Sequence, residues 1–247
     1  MFEEGLVMAM IAFALGGILK GAIGAGTPVI AIPILALYHD VRFAVAVFAL
    51  PALLSNIVQG WQYRAHILPR RFMVPLVLAT MLGAFVGTVM LATLPEGLLT
   101  GTVAVLTIVY VVFRLMRPDW SLGLERGQKI VVPVGLAAGV LQGAAGISAP
   151  VSLTFLNALR IPREVFIGTV SVFFIAMASV QLPTLIGLGI LTGPRLAVAL
   201  VACIPLFAGM PVGDWIGRKV GKTTFDRIIM GLLVIIALRL LWGVVAG

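Results

Sequence analysis

The feature that most limits the folds open to this chain is that it repeats itself. Gly17–Val29 reads GILKGAIGAGTPV, and Gly139–Val151 reads GVLQGAAGISAPV. At an offset of 122 residues, Gly17, Leu19, Gly21, Ala22, Gly24, Pro28 and Val29 meet identical residues. The register continues without a gap through Ala36-Leu37 and Ala158-Leu159 to Val58-Gln59 and Val180-Gln181. After a slip of four, Gly83 and Gly87 meet Gly209 and Gly213. An apolar chain produces chance matches of Leu, Val and Ala, but aligned Gly, Pro and Gln are much harder to obtain. The expected organisation is a first repeat over 1–118, a polar linker over 119–129 and a second repeat over 130–247, joined in one integral membrane domain.

Composition decides the solvent. The 247 residues are 61% hydrophobic and 11% charged, against roughly 25% charged in a soluble domain. A water-soluble protein of this length could not hide so much apolar surface, whereas in a bilayer apolar side chains face lipid. Each half divides into five apolar segments. They lie at about 5–20, 27–38, 42–61, 71–93 and 97–115, then at about 130–143, 149–159, 164–187, 194–214 and 224–246. A full span needs roughly 20 residues, so the second segment of each half is too short. It follows a glycine-rich break and opens on Thr27-Pro28 or Ala149-Pro150, and proline suits a first helical turn, where its missing N–H costs nothing. Each half therefore predicts a helix, a break near mid-membrane and a short helix. The expected fold is an all-α polytopic membrane protein.

Charge orients the halves. With five segments per half and the N-terminus outside, the inner side holds Arg64, Arg70, Arg71, Arg114, Arg117, Arg126, Lys129, Arg160, Arg163, Arg218, Lys219, Lys222 and Arg227. The outer side holds only Arg42, Arg195 and Arg239. Counting each interrupted pair as one span would force one basic loop outside. The positive-inside rule thus predicts inverted repeats, with both termini periplasmic. The net charge of +8 then serves topology and not nucleic acid. The N-terminus, with Glu3 and Glu4 and no Lys or Arg, lacks the basic start of a signal peptide, and the first apolar run is expected to be permanent.

Inverted repeats with broken helices are typical of secondary transporters, which bind substrate at the midplane where the breaks meet. Helices starting at Thr27 or Ser148 would point their positive N-terminal ends, with free N–H groups, at that place. The candidate substrate-binding residues are Lys20, Gly24, Gly26, Thr27, Asn56, Gln59, Gln142, Gly146, Ser148 and Gln181. Lys20 is the basic residue in the middle of the first apolar stretch, and intramembrane charge is costly and usually functional. The bland alternatives are a snorkelling lysine or one held by a carboxylate. Gln142, its repeat mate, makes the charge asymmetric. Asn56, Gln59 and Gln181 can donate to oxyanion oxygens, or can simply link helices. Thr27 and Ser148 can be plain N-caps. Asn157 and Thr184 read as structural, His66 as a loop histidine, and Asp214 as a partner for Arg218 four residues on.

Several functions lack their residues. Gly21–Gly26 is not a dinucleotide loop and follows a helix-length run, not a strand. No Cys/His cluster has metal spacing, the single Cys203 excludes a disulfide framework within the chain, and neither paired carboxylates nor a Ser–His dyad suggests an enzyme. No cofactor is expected. Gly83/Gly87 and Gly209/Gly213 have the spacing of close helix packing, within the chain or across a homodimer.

At the Gly17–Pro33 segment with Lys20, the repeated Gly143–Pro150 segment, Arg42 and Arg163 after the short helices, and the paired glycines, the chain resembles the sulfite exporter TauE/SafE family over essentially its whole length. The resemblance implies a bacterial inner-membrane carrier of small sulfur-containing or organic anions. The substrate would be a sulfonate or sulfite, such as the C2 sulfonate sulfoacetate, with export favoured over import and H+ or Na+ as coupling ion. A small-anion channel and a carboxylate carrier are the alternatives, and a non-transporting scaffold has no reason to break its helices.

Overall fold

The computed structural model describes residues 2–116 and 121–219, together with 235, 238 and 239. Among the described residues there are nine helices and no strand: α1 (Phe2–Ile23), α2 (Thr27–Tyr38), α3 (Val41–Gln62), α4 (Arg70–Thr93), α5 (Glu96–Met116), α6 (Leu124–Ala145), α7 (Ala149–Ala158), α8 (Arg163–Gly187) and α9 (Gly193–Lys219). The segment expected over 224–246 lies outside the described residues. Seven of these helices are long and apolar enough to cross a membrane, while α2, with 12 residues, is not. At 1.5 Å per residue α2 covers about 18 Å, little more than half of a hydrocarbon core.

The helices are apolar on two faces. Along α4, Phe72, Leu76, Ala79, Gly83 and Gly87 are buried, whereas Val74, Leu78, Leu82 and Phe85 on the other face are exposed. A stripe of that kind is tolerated where lipid and not water meets it.

Glycine seams set the packing. Cβ atoms built on Gly17 and Gly21 would collide with the carbonyl oxygens of Leu206 and Met210, so α1 lies with its backbone against α9. Those on Gly139 and Gly83 would collide with the carbonyls of Thr80 and Leu136, and α4 lies against α6 in the same way. In each pair the contacts advance together, from Ala14–Gly209 to Ala22–Gly217 and from Leu76–Gly135 to Thr88–Gly143, so the paired helices run in the same direction. The glycine spacings are therefore used within the chain. Contacts between α3 and α8 advance oppositely: Gln59 and Gly60 meet Ser171, while Tyr63 and His66 meet Gly168.

Two ends of the bundle follow. At one end the 63–69 connection meets the start of α8, with Leu68 N donating to Thr169 Oγ1 (3.2 Å). There too the linker meets the end of α7, with Leu122 N donating to Ala158 O (2.7 Å), and Phe72 stacks on Phe155. That end carries Arg64, Arg70, Arg71, Arg126, Lys129, Arg160 and Arg163. The opposite end gathers the 39–40, 94–95 and 188–192 connections. Here Arg42 donates to Leu91 O (3.0 Å) and Leu94 O (2.6 Å) and pairs with Glu96 (3.2 Å), and Arg195 pairs with Asp40 (3.6 Å). Because α6 starts at the first end and α7 finishes there, α6–α7 is a hairpin that turns back within the bundle. The α1–α2 pair turns back toward the opposite end, where α3 begins.

Candidate functional site

Each hairpin turns by the same backbone device. Gly24 N donates to Lys20 O (2.7 Å) and Gly146 N donates to Gln142 O (2.9 Å), and both glycines are left-handed, with φ of 84° and 70°. Such a residue just past a helix end satisfies an orphan carbonyl, and only glycine holds it without strain. The surroundings match as well. Gly24 packs on Ile167 of α8, and Gly146 packs on Val45 of α3, the repeat mate of Ile167, as well as on Ile32. Each break is pressed against the crossing helix of the other half.

The side chains differ. Lys20 lies in the last turn of α1 and is 3% exposed. Its Nζ donates to Asn56 Oδ1 (2.7 Å), and Asn56 Nδ2 donates to Ala52 O (2.7 Å). The negative end of α1 favours a cation there, but no described carboxylate pairs with it. Among the described residues, neither a route to the surface nor a carboxylate holds this lysine. One turn beyond Asn56, Gln59 Oε1 accepts from Ser171 Oγ of α8 (3.1 Å).

In the second hairpin, Gln142 stands where Lys20 stands in the first. Its Oε1 accepts from Ser148 Oγ (3.1 Å), which also lies 3.2 Å from Ser152 Oγ, and its backbone oxygen accepts from Gln181 Nε2 (3.1 Å). These contacts gather the candidates into two groups. Lys20, Asn56 and Gln59 stand around the first break, and Gln142, Ser148 and Gln181 around the second. Ser171 and Ser152 complete them. Nothing in their own sequence neighbourhood separates these serines from hydroxyls that bond the preceding helical turn, which both also do (2.7 and 2.9 Å).

Two expectations need correction. Thr27 does not cap α2. Gly26, left-handed at φ 103°, holds the cap position, and the Thr27 hydroxyl donates instead to Gly16 O across the hairpin (3.1 Å). Ser148 does hold the cap position of α7, but its hydroxyl is drawn to Gln142 and makes no capping bond. Neither short helix has a side-chain cap, so both N-termini leave their first N–H groups without a side-chain acceptor. Thr184 bonds Val180 O (2.7 Å), as a structural residue does. The expected partner of Asp214, the Arg218 side chain, lies outside the described residues.

A cavity of about 510 Å³ opens at the basic end, between α1, α3, α8 and α9. Its polar wall is Gln59, Gln62, Tyr63, Arg163 and Asp214, and Ile167, Phe207 and Met210 supply apolar wall. Gly21 is also on the wall, so the cavity reaches the neighbour of Lys20. Gln59 is the one side chain among the predicted polar site residues that it touches. The described residues contain no group of three His, Cys, Asp or Glu able to hold a metal ion.

Comparison with known proteins fits this architecture. The family model described as sulfite exporter TauE/SafE matches residues 9–240. No curated protein and no solved structure matches the chain. With the family match spanning both hairpins and nearly all of the sequence, the chain belongs to the sulfite exporter TauE/SafE family of membrane proteins.

Proposed function

We propose that the chain is a secondary transporter that exports a small sulfur-containing anion, a sulfonate or sulfite, by alternating access between two inverted repeats. The observation that carries this reading is Lys20, an ammonium in a membrane-length helix whose one hydrogen-bond partner among the described residues is the neutral Asn56. On insertion scales such a charge costs about 2.5–3.5 kcal/mol at the centre of a membrane helix and less toward the end of α1, where Lys20 stands, and an anion that breaks the Lys20–Asn56 bond would offset that cost. Asn56 Nδ2 and Gln59 could then turn to the anion's oxygens, and the uncapped start of α2 would add N–H donors. The second hairpin offers a neutral counterpart built from Gln142, Ser148 and Gln181. One cation surrounded by several neutral donors suits the oxygens of a sulfonate or sulfite, and a C2 sulfonate such as sulfoacetate would leave its carboxylate to the neutral donors.

Several observations support the inverted arrangement. α3 and α8 meet in opposite directions, and the two hairpins open toward opposite ends. Seven basic residues stand at one end, whereas at the other Arg42 and Arg195 are paired with acids. By the positive-inside rule the basic end faces the cytoplasm of a bacterial inner membrane. The repeat boundaries at 1–118 and 130–247 belong to the same reading, as does coupling to H+ or Na+.

Counterflow in proteoliposomes tests it. Vesicles loaded with unlabelled sulfoacetate or sulfite should accumulate the labelled anion transiently above equilibrium. Lys20→Ala should abolish this while remaining folded by size-exclusion chromatography. Flux without counterflow would mean a channel, and counterflow with acetate or lactate but no sulfur anion would mean a carboxylate carrier.

A further inference from the structure

The cavity at the basic end is open, yet its repeat counterpart is not. Tyr63, Arg163 and Ile167 on its wall have Leu185, Val41 and Val45 as mates, all three fully buried among apolar neighbours. The open side is also the one to which the sequence has brought charge, since Arg163 replaces Val41 and Asp214 replaces Thr88. Asp214 has an interaction of its own. Arg163 is exposed at the first turn of α8, without a hydrogen bond or ion pair among the described residues. Its guanidinium is a planar fork of donors that matches two oxygens of a sulfonate or sulfite. Tyr63 and Gln62, each with a polar end group, stand on the same wall. A cavity of about 510 Å³ leaves room for an anion that keeps much of its hydration.

We propose that Arg163, with Tyr63 and Gln62, forms a recruiting site for a sulfonate or sulfur oxyanion at the basic mouth of the cavity, separate from and preceding the Lys20 site. It rests on the anion-transport reading for its physiological ligand but not for its electrostatics. The cavity runs from Arg163 to Gly21 and Gln59, which follow Lys20 by one residue and its partner Asn56 by three. An anion held by Arg163 in a still hydrated state would shed water as it moves inward to Lys20. Removing Arg163 should therefore raise KM and lower the rate of loading, leaving the Lys20 site itself intact.

The test reads the cavity directly. Gln62→Cys in a Cys203→Ser background is labelled with 2-sulfonatoethyl methanethiosulfonate, itself a C2 sulfonate, and with the cationic trimethylammonium analogue. One unit charge within several ångströms of a hydrated site is worth a few-fold in local ion concentration, so the anion-to-cation rate ratio should fall about tenfold in Arg163→Gln. Arg163→Lys should keep most of the ratio. Arg126→Gln, at the same end but not on the cavity wall, should change it less than twofold. If Gln62→Cys disturbs the end of α3, Tyr63→Cys reads the same wall. A ratio unchanged in Arg163→Gln, or changed equally by Arg126→Gln, overturns the proposal. A tenfold fall with no sulfur anion carried in counterflow leaves the recruiting site standing and removes the transport reading. Normal counterflow with an unchanged ratio does the reverse.

Discussion

The two hairpins have the same backbone and different chemistry. Both turn on a left-handed glycine that bonds the carbonyl four residues earlier, and both leave a short helix without a side-chain cap. At the matched position one carries Lys20 and the other Gln142. The shared part therefore answers a mechanical need, which is to stop a helix inside the bundle without stranding its carbonyls. The part that differs answers a chemical one. A site with a lysine in both halves would hold two buried cations, and a site with none would offer an anion only dipoles. On the transport reading, one charge at the first break and neutral donors at the second would bind an anion without holding it too tightly for release.

That comparison can be broken at several points. The mechanical half is probed most severely at the seams. A Cβ on Gly143 would meet Thr88 N at 2.6 Å and Gly87 C at 2.7 Å, and one on Gly21 would strike the Met210 carbonyl. Gly143→Ala and Gly21→Ala should each cost about 3 kcal/mol or more, at the upper end of overpacking penalties, measured as lost melting temperature and yield. If only one of them fails, the halves are not mechanically equivalent. The chemical half is probed by Lys20→Gln, which makes the first hairpin resemble the second. It should weaken sulfonate binding about 10- to 100-fold, the worth of a hydrogen bond to a charged group, read by titration calorimetry. The same measurement on Gln142→Leu should show a change several-fold smaller. Gly146→Ala and Gly24→Ala place a side chain at positive φ, at a cost of about 1–2 kcal/mol each, and equal shifts in melting temperature would sharpen the equivalence. Ser148→Ala should have the smallest effect, about 1 kcal/mol from one neutral hydrogen bond. A larger loss of transport than of stability there would bring the neutral hairpin into the substrate path.

Much of the fold was legible because a bilayer leaves few choices. Among the described residues, apolar runs of membrane length became helices within about six residues of their expected bounds, and the glycine breaks became turns. Lys20 stood out for the same reason, as an expensive residue where none is needed. The partners of these residues were not legible. Nothing near Asn56 says that Lys20, 36 residues away, will bond it, and Ser171 meets Gln59 only because α3 and α8 cross. The caps were misread because a Thr-Pro or Ser-Ala-Pro start resembles a capping signal. The left-handed Gly26 took the cap position ahead of Thr27, and Gln142 competed for the Ser148 hydroxyl. The cavity was missed because its wall comes from four helices distant in sequence.

The seams also set a schedule for biogenesis. α4 finds its glycine-lined partner in α6, the next helix but one, so that pair can close while the ribosome is still at work. α1 finds its partner in α9, whose contact residues begin near Leu206, about 190 residues after Gly17. At synthesis rates of about 5–20 residues per second, α1 waits roughly 10–40 seconds in the membrane with a bare strip of backbone. During that interval it is open to capture by any small-residue helix nearby, or by a chaperone that shields the strip. α1 is thus locked in place only late, and a chain cut short before α9 would leave it without its partner.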